Sequence, residues 1–119
     1  MLTGLQIQIN ALNAIIPDSF IFLMDSTDRS FIYRSMICKA ATAEISSLDQ
    51  KNGIENLFEE TGYYRGETNS HSYMIRKLSE HTFLGFFANK GRFSTARIEK
   101  AEDYFLRMPS PLSDTEVSV

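Results

Sequence analysis

The sequence has no tryptophan, a single cysteine and only three prolines. One cysteine excludes an intramolecular disulfide framework and any thiolate-based zinc knuckle. Long apolar runs are also missing. The two longest, Phe20 to Met24 and Phe83 to Ala88, fall far short of the ~20 residues that cross a bilayer as a helix. The first twenty residues contain neither Lys nor Arg, so no secretory leader with a basic start is expected. The six glycines form neither the G-x-x-x-x-G-K-[ST] spacing nor G-x-G-x-x-G, so a nucleotide, if one is involved, belongs to a partner. An excess of cations is absent too. Twelve Lys and Arg stand against fifteen Asp and Glu, for a net charge of -3, which argues against broad electrostatic capture of nucleic acid. With Cys38 unpaired, a reducing, cytoplasmic location is expected.

What is present suits one folded domain. The chain has 119 residues, 43% hydrophobic and 23% charged, too apolar for a disordered segment and near the commonest domain size. A chain of this length buries roughly two-thirds of its unfolded surface.

Leu2, Leu5, Ile9, Leu12 and Ile16 recur at spacings of three and four, which places them on one helical stripe that Ile7, Ala14 and Ile15 widen. Pro17 stops this helix. Phe20 to Met24 reads as a strand buried on both faces. The turn formers Asp25 to Ser30 then lead into a second strand, Phe31 to Tyr33, and together they suggest a hairpin. Ser35 is placed to cap a second helix. One face of it carries Ile37, Ala41, Glu44 or Ile45, and Leu48; the neighbouring face carries Met36, Ala40, Ala43 and Ser47, unusually small residues. Asn52-Gly53 ends it. Ile54, Leu57 and Phe58 suit either a strand or a helical turn, and Tyr63-Tyr64-Arg65, bracketed by Gly62, Gly66 and Asn69, reads as part of a long loop. Ser72 to Leu78 alternates, with Tyr73, Ile75 and Lys77 on one side and Met74, Arg76 and Leu78 on the other. Thr82 to Ala88 is the most apolar strand and belongs at the centre of the sheet, with Gly85 marking a close backbone approach. Ser94 caps a last helix, Thr95 to Met108, with Ile98, Ala101, Phe105 and Met108 on its stripe. A single domain over residues 1–108 and a tail over 109–119 are expected.

In this order of elements the chain resembles the Roadblock light-chain family of the roadblock/longin fold. The matching features are the apolar first helix, the strand Phe20–Asp25 ending in an acidic turn, and the Ala-rich helix after Ser35. The paired strands Ser72–Leu78 and Thr82–Ala88 and the closing helix complete the match. The turn Asp25–Ser30 departs from it in lacking a glycine, and the stretch from Gly53 to Ser72 is longer than the family's usual hairpin. The resemblance implies an α+β fold, α-β-β-α-β-β-β-α, with a five-stranded, mainly antiparallel sheet and helices on both faces. It also implies a protein that is not an enzyme and needs no cofactor. Such proteins pair with a copy or a relative through the second helix and the strand after it, and many serve as scaffolds or regulators of small Ras-like GTPases. Carried onto this chain, the pairing surface comprises Met36, Ala40, Ala43, Glu44 and Ser47 with an edge from Ile54 to Glu60, in which Ile54, Leu57 and Phe58 supply the apolar contacts. The alternative is a sensor domain of the PAS type, which would close on a strand where Thr95 to Met108 reads as helix.

No group of residues announces a chemistry. His71 and His81 flank one strand without a third ligand at recognised spacing. Cys38 has no base to activate it and reads as a buried, inert thiol. Glu59-Glu60 and Asp25 with Asp28 read as solvated charges rather than an acid–base pair. Arg76, Lys77, Lys90, Arg92 and Arg97, with Phe93 nearby, read as a basic rim in preference to a nucleic-acid surface. Tyr63-Tyr64-Arg65 combines residue types favoured at binding hot spots. Two adjacent tyrosines in an extended segment point opposite ways, so one of them is expected to be exposed or covered by a partner.

Overall fold

The computed structural model describes residues 3–53 and 62–108. The elements are α1 (Thr3–Ile15), β1 (Phe20–Asp25), β2 (Ser30–Arg34), α2 (Lys39–Asn52), β3 (Tyr63–Glu67), β4 (His71–Lys77), β5 (Thr82–Asn89) and α3 (Thr95–Arg107). The strands form one five-stranded sheet in the order β2-β1-β5-β4-β3, and every neighbouring pair is antiparallel. This is the expected α+β architecture. Residues 109–119, expected as a tail, lie outside the described residues, as do Ile54, Leu57, Phe58 and the carboxylates Glu59 and Glu60.

The period-two alternation of the strands divides the core in two. On one face, Leu5, Ile9, Leu12 and Ile16 meet Ile98, Ala101, Phe105 and Met108 over Ile21, Leu23, Met74, Leu84 and Phe86. The apolar stripes of α1 and α3 therefore cover this side. On the other face, Ala41, Ile45 and Leu48 of α2 lie on Phe20, Phe22, Met24, Tyr73, Ile75, Phe83 and Phe87. Both faces being covered explains why β1 and β5 are apolar at nearly every position. The widened stripe of α1 is narrower than expected: Ile7 is exposed while Gln8 is buried.

β5 is central, as its composition requires. Phe22 stands opposite Gly85 in the register, and its ring lies across that glycine. A Cβ there would sit 2.6 Å from the ring and 2.8 Å from the Met74 carbonyl oxygen.

The second helix starts later than the sequence suggests. Cys38, half-buried rather than buried, is its N-cap, with no side-chain cap bond. Ser35 serves the sheet instead. Its amide donates to the Ile21 carbonyl (2.8 Å), while its hydroxyl donates to the Ser19 carbonyl (2.7 Å) and accepts from the Ile21 amide (2.8 Å). Three bonds to β1 and the residue before it hold Ser35 in extension, so Met36 and Ile37 fall on a connection and neither lies on the helix. Ile37 is exposed and is not part of the buried face.

The glycine-free turn between β1 and β2 closes through its own side chains. Asp25 Oδ1 accepts from the Thr27 amide (2.8 Å), and Asp28 Oδ1 accepts from the amide (3.1 Å) and hydroxyl (2.6 Å) of Ser30. Those bonds to Ser30 hold the Asp28 carboxyl below its ordinary pKa. Arg29 takes the positive φ of 55°, and its guanidinium is tied down by Asp49 of α2.

Candidate functional site

The segment Tyr63-Tyr64-Arg65 is strand, not loop. It opens β3, the edge of the sheet among the described residues, where it pairs with β4 from Tyr63↔Arg76 to Glu67↔Ser72. The two tyrosines do point to opposite faces, yet each is half-buried, because a helix covers each side of the sheet. Tyr63 meets Phe105 edge-on at 6.4 Å, lies under the Arg76 guanidinium at 5.4 Å and donates to the Leu106 carbonyl (3.1 Å). Tyr64 meets Tyr73 at 6.1 Å on the α2 face. Arg65 pairs with Glu102 of α3 at 2.9 Å, and this bond raises the guanidinium pKa above its ordinary value. Arg65 stays exposed, whereas Glu102 is buried.

β3 and α2 are joined through one tyrosine. Tyr73 stacks on Phe87 with centroids 4.4 Å apart and reaches across Gly66, where a Cβ would come within 2.5 Å of the ring tip. Its hydroxyl then donates to Glu44 Oε2 at 2.7 Å. Burial, and next this bond to a carboxylate, push the phenol pKa up. Burial of Ala41, Ile45 and Leu48 sets the rotation of α2, and the bond to Tyr73 ties its Glu44 side toward β4 and β3. The stripe that contains it, Ala40, Ala43, Glu44 and Ser47, leans toward the β3 edge, while Ala41, Ile45 and Leu48 point into the core. Ala40 and Ala43 are exposed; Glu44 and Ser47 are half-buried. The small-residue face is thus uncovered within the described chain and continuous with an open strand edge. Met36 does not join it: Met36 lies beside Tyr33 and Ser35 at the opposite edge.

The other candidates stay apart. His71 sits at the start of β4, its Nδ1 2.8 Å from Ser70 Oγ, and burial with the nearby Lys90 lowers its pKa. His81 lies beyond the far end of the same strand, 4.0 Å from Glu80. No set of three metal-ligating side chains exists among the described residues. Four of the five late basic residues are engaged internally: Lys90 with Glu67 (3.1 Å), Arg92 with Asp18 (2.9 Å), Arg97 with the Ile15 carbonyl (2.6 Å), and Arg76 with the Met108 carbonyl. No helix among the described residues is long and apolar enough to cross a membrane.

No family model matches the chain, and no curated protein matches it by sequence. Solved structures do. Myxococcus xanthus MglB superposes with a TM-score of 0.54 at 17% identity, covering 90% of this chain and 88% of that one. A second structure, of MglB with a tetrameric arrangement, gives 0.54 at 9% identity over 88% of this chain and 83% of its own. MglC from Myxococcus xanthus gives 0.52 at 12% identity over 88% and 99%. These neighbours are roadblock-fold proteins, and the chain has the roadblock fold.

Proposed function

We propose that the chain is a non-enzymatic, cytoplasmic scaffold or regulator of the roadblock type, which pairs with a copy or a relative and acts on a small Ras-like GTPase. The observation that carries this reading is the uncovered stripe Ala40, Ala43, Glu44 and Ser47, locked by the Glu44–Tyr73 hydrogen bond beside the open edge of β3. An open edge carries unsatisfied amides and carbonyls that a second strand satisfies. Small side chains let two helices approach closely across a two-fold axis, where one patch meets its own copy. Ile54, Leu57 and Phe58, in the segment leading to β3, are assigned to the same surface, and Tyr63, Tyr64 and Arg65 on β3 are assigned as contacts for a further partner.

The mechanism is conformational. A pair of such chains presents a composite surface that favours one nucleotide state of the GTPase, and the bias equals its differential affinity for the two states. The test is titration of the protein with purified Ras-like GTPases from the same cell, loaded with GDP or with a non-hydrolysable GTP analogue. Binding at least tenfold tighter to one state is expected. Equal affinity for both, or no binding to any, refutes the regulatory reading.

A further inference from the structure

The sheet has a second edge, and its surroundings differ from those of β3. Among the described residues, β2 ends the sheet on the far side. Its register against β1 runs Leu23↔Tyr33 and then Met24↔Phe31, leaving Ile32 as a bulge residue without a partner. Ile32 is 53% exposed, and the connection that follows adds Met36 at 42% and Ile37 at 72%. Three of the five large exposed apolar side chains among the described residues therefore lie within six consecutive positions.

Beside this edge, between the end of α1 and β2, runs a groove of about 500 Å³ lined by Asn13, Asp18, Ser19, Ile21, Tyr33, Ser35, Met36 and Arg92. The Ser19 hydroxyl is buried here without a hydrogen-bond partner, a state that normally costs free energy unless a ligand or water meets it. Arg92 spends one nitrogen on Asp18 at 2.9 Å, and a guanidinium carries five N–H donors. At the same end, Arg34 and Lys39 are exposed. Neither has an ion pair among the described residues; Arg34 only lies over the Phe31 ring at 5.3 Å. The acidic groups near β2 are Asp18, paired with Arg92, and Asp25, Asp28 and Asp49 at its opposite, turn end, where the cation Arg29 is already paired with Asp49.

We propose that β2 and the adjoining groove form a second docking surface, which takes an extended segment of a partner protein that is apolar along its length and acidic at one end. The segment adds to the sheet by backbone pairing with β2 and covers Ile32, Met36 and Ile37. Its acidic end lies over Arg34 and Lys39, with one carboxylate reaching Arg92. The charge distribution fixes this polarity, since an acidic end at the turn would face Asp25 and Asp28. The surface is separate from the α2–β3 face assigned to pairing, so it stands or falls independently of that reading.

The test is an amide-resolved NMR titration of the full chain with two synthetic ten-residue peptides. Both have alternating Val-Ser bodies; one ends in Asp-Glu-Asp and the other in Lys-Lys-Lys. The expected result is saturable binding of the acidic peptide, with shifts confined to residues 30–37 and to Ser19 and Arg92, and weakening as salt rises. The variant Arg34→Glu, at an exposed position on β2, should weaken that binding at least tenfold without changing the protein's own mass in solution. Equal binding of both peptides, shifts centred on β3 and α2, no saturable binding, or occupation of β2 by a second copy of the chain would each overturn the proposal.

Discussion

Substituting Gly85→Ala probes the middle of the sheet with a single methyl group. The added Cβ would stand 2.6 Å from two carbons of the Phe22 ring and 2.8 Å from the Met74 carbonyl oxygen, where ordinary contact begins near 3.4 Å. The Phe22 ring is fully buried and itself packed on Phe20 at 5.5 Å and Phe87 at 6.2 Å. Neighbouring rings on several sides, Phe31 at 5.9 Å among them, oppose its displacement. The carbonyl belongs to β4, whose register on β5 pairs Gly85 with Ile75, so relief there means parting two central strands. Overpacking a dense core costs about 1–3 kcal/mol, and backbone as one of the clashing partners puts this case near the top, at about 3 kcal/mol. For a domain of this size that corresponds to a fall in Tm of roughly 10–15 °C. The assay is urea unfolding followed by far-ultraviolet circular dichroism, in which the midpoint should drop with little change in slope. Gly66→Ala gives the comparison. Its clash, at 2.5 Å, is with the ring tip of Tyr73 and with no backbone atom; that ring is buried and stacked on Phe87, so relief means shifting its tip and giving up the bond to Glu44, at a cost of about 2 kcal/mol. If Gly85→Ala proves neutral, or less costly than Gly66→Ala, the strand order and the packing of Phe22 over β5 are wrong.

Ser35→Ala should cost about 1–2 kcal/mol, because it strands the Ile21 amide from the hydroxyl that caps it and the Ser19 carbonyl from its donor; a neutral result in the same unfolding assay would return Ser35 to an ordinary solvated role. Phe105→Ala removes a fully buried ring that meets Phe86 edge-on at 5.3 Å and should cost about 3–5 kcal/mol, which a shift of the urea midpoint would reveal. His71 has a lowered pKa in the folded chain, so the unfolded chain binds its proton first as pH falls below about 6.5. Stability should therefore be full above that value and decline below it, and His71→Gln should flatten this part of the profile; an unchanged slope between pH 7 and 5.5 would show that the imidazole is not desolvated.

Much of this fold is legible in the sequence, and the places where it is not have physical causes. The stripes of α1 and α3 follow from spacing alone, and Ser94 caps α3 through the Arg97 amide (3.2 Å) as its type suggests. The run Thr82 to Ala88 announces a central strand by having no polar side. Ser35 misleads because a hydroxyl before an alanine-rich run suits a helix cap and a strand-end bridge equally, and only the neighbouring Ile21 amide decides between them. Tyr63 to Glu67 hides as strand because Gly66 and the charged Arg65 and Glu67 break the apolar alternation. The reasons lie elsewhere in the chain: Tyr73 needs the space over Gly66, and Glu102 and Lys90 need the two charges. The small-residue face of α2 is readable as a pattern, but which sheet edge it flanks follows from the tertiary packing of Ala41, Ile45 and Leu48 and from a bond between Glu44 and Tyr73, 29 positions apart, that no local periodicity encodes.

The pairing of two chains through α2 and β3 is the claim on which the functional reading rests, and sedimentation equilibrium of the purified protein at tens of micromolar tests it most directly. The wild type should give twice the 13.6 kDa chain mass, and Ala43→Arg, at an exposed site that leaves the monomer fold unstrained, should give the mass of one chain. A wild-type chain that sediments as a monomer, or an Ala43→Arg variant that stays paired, would contradict it.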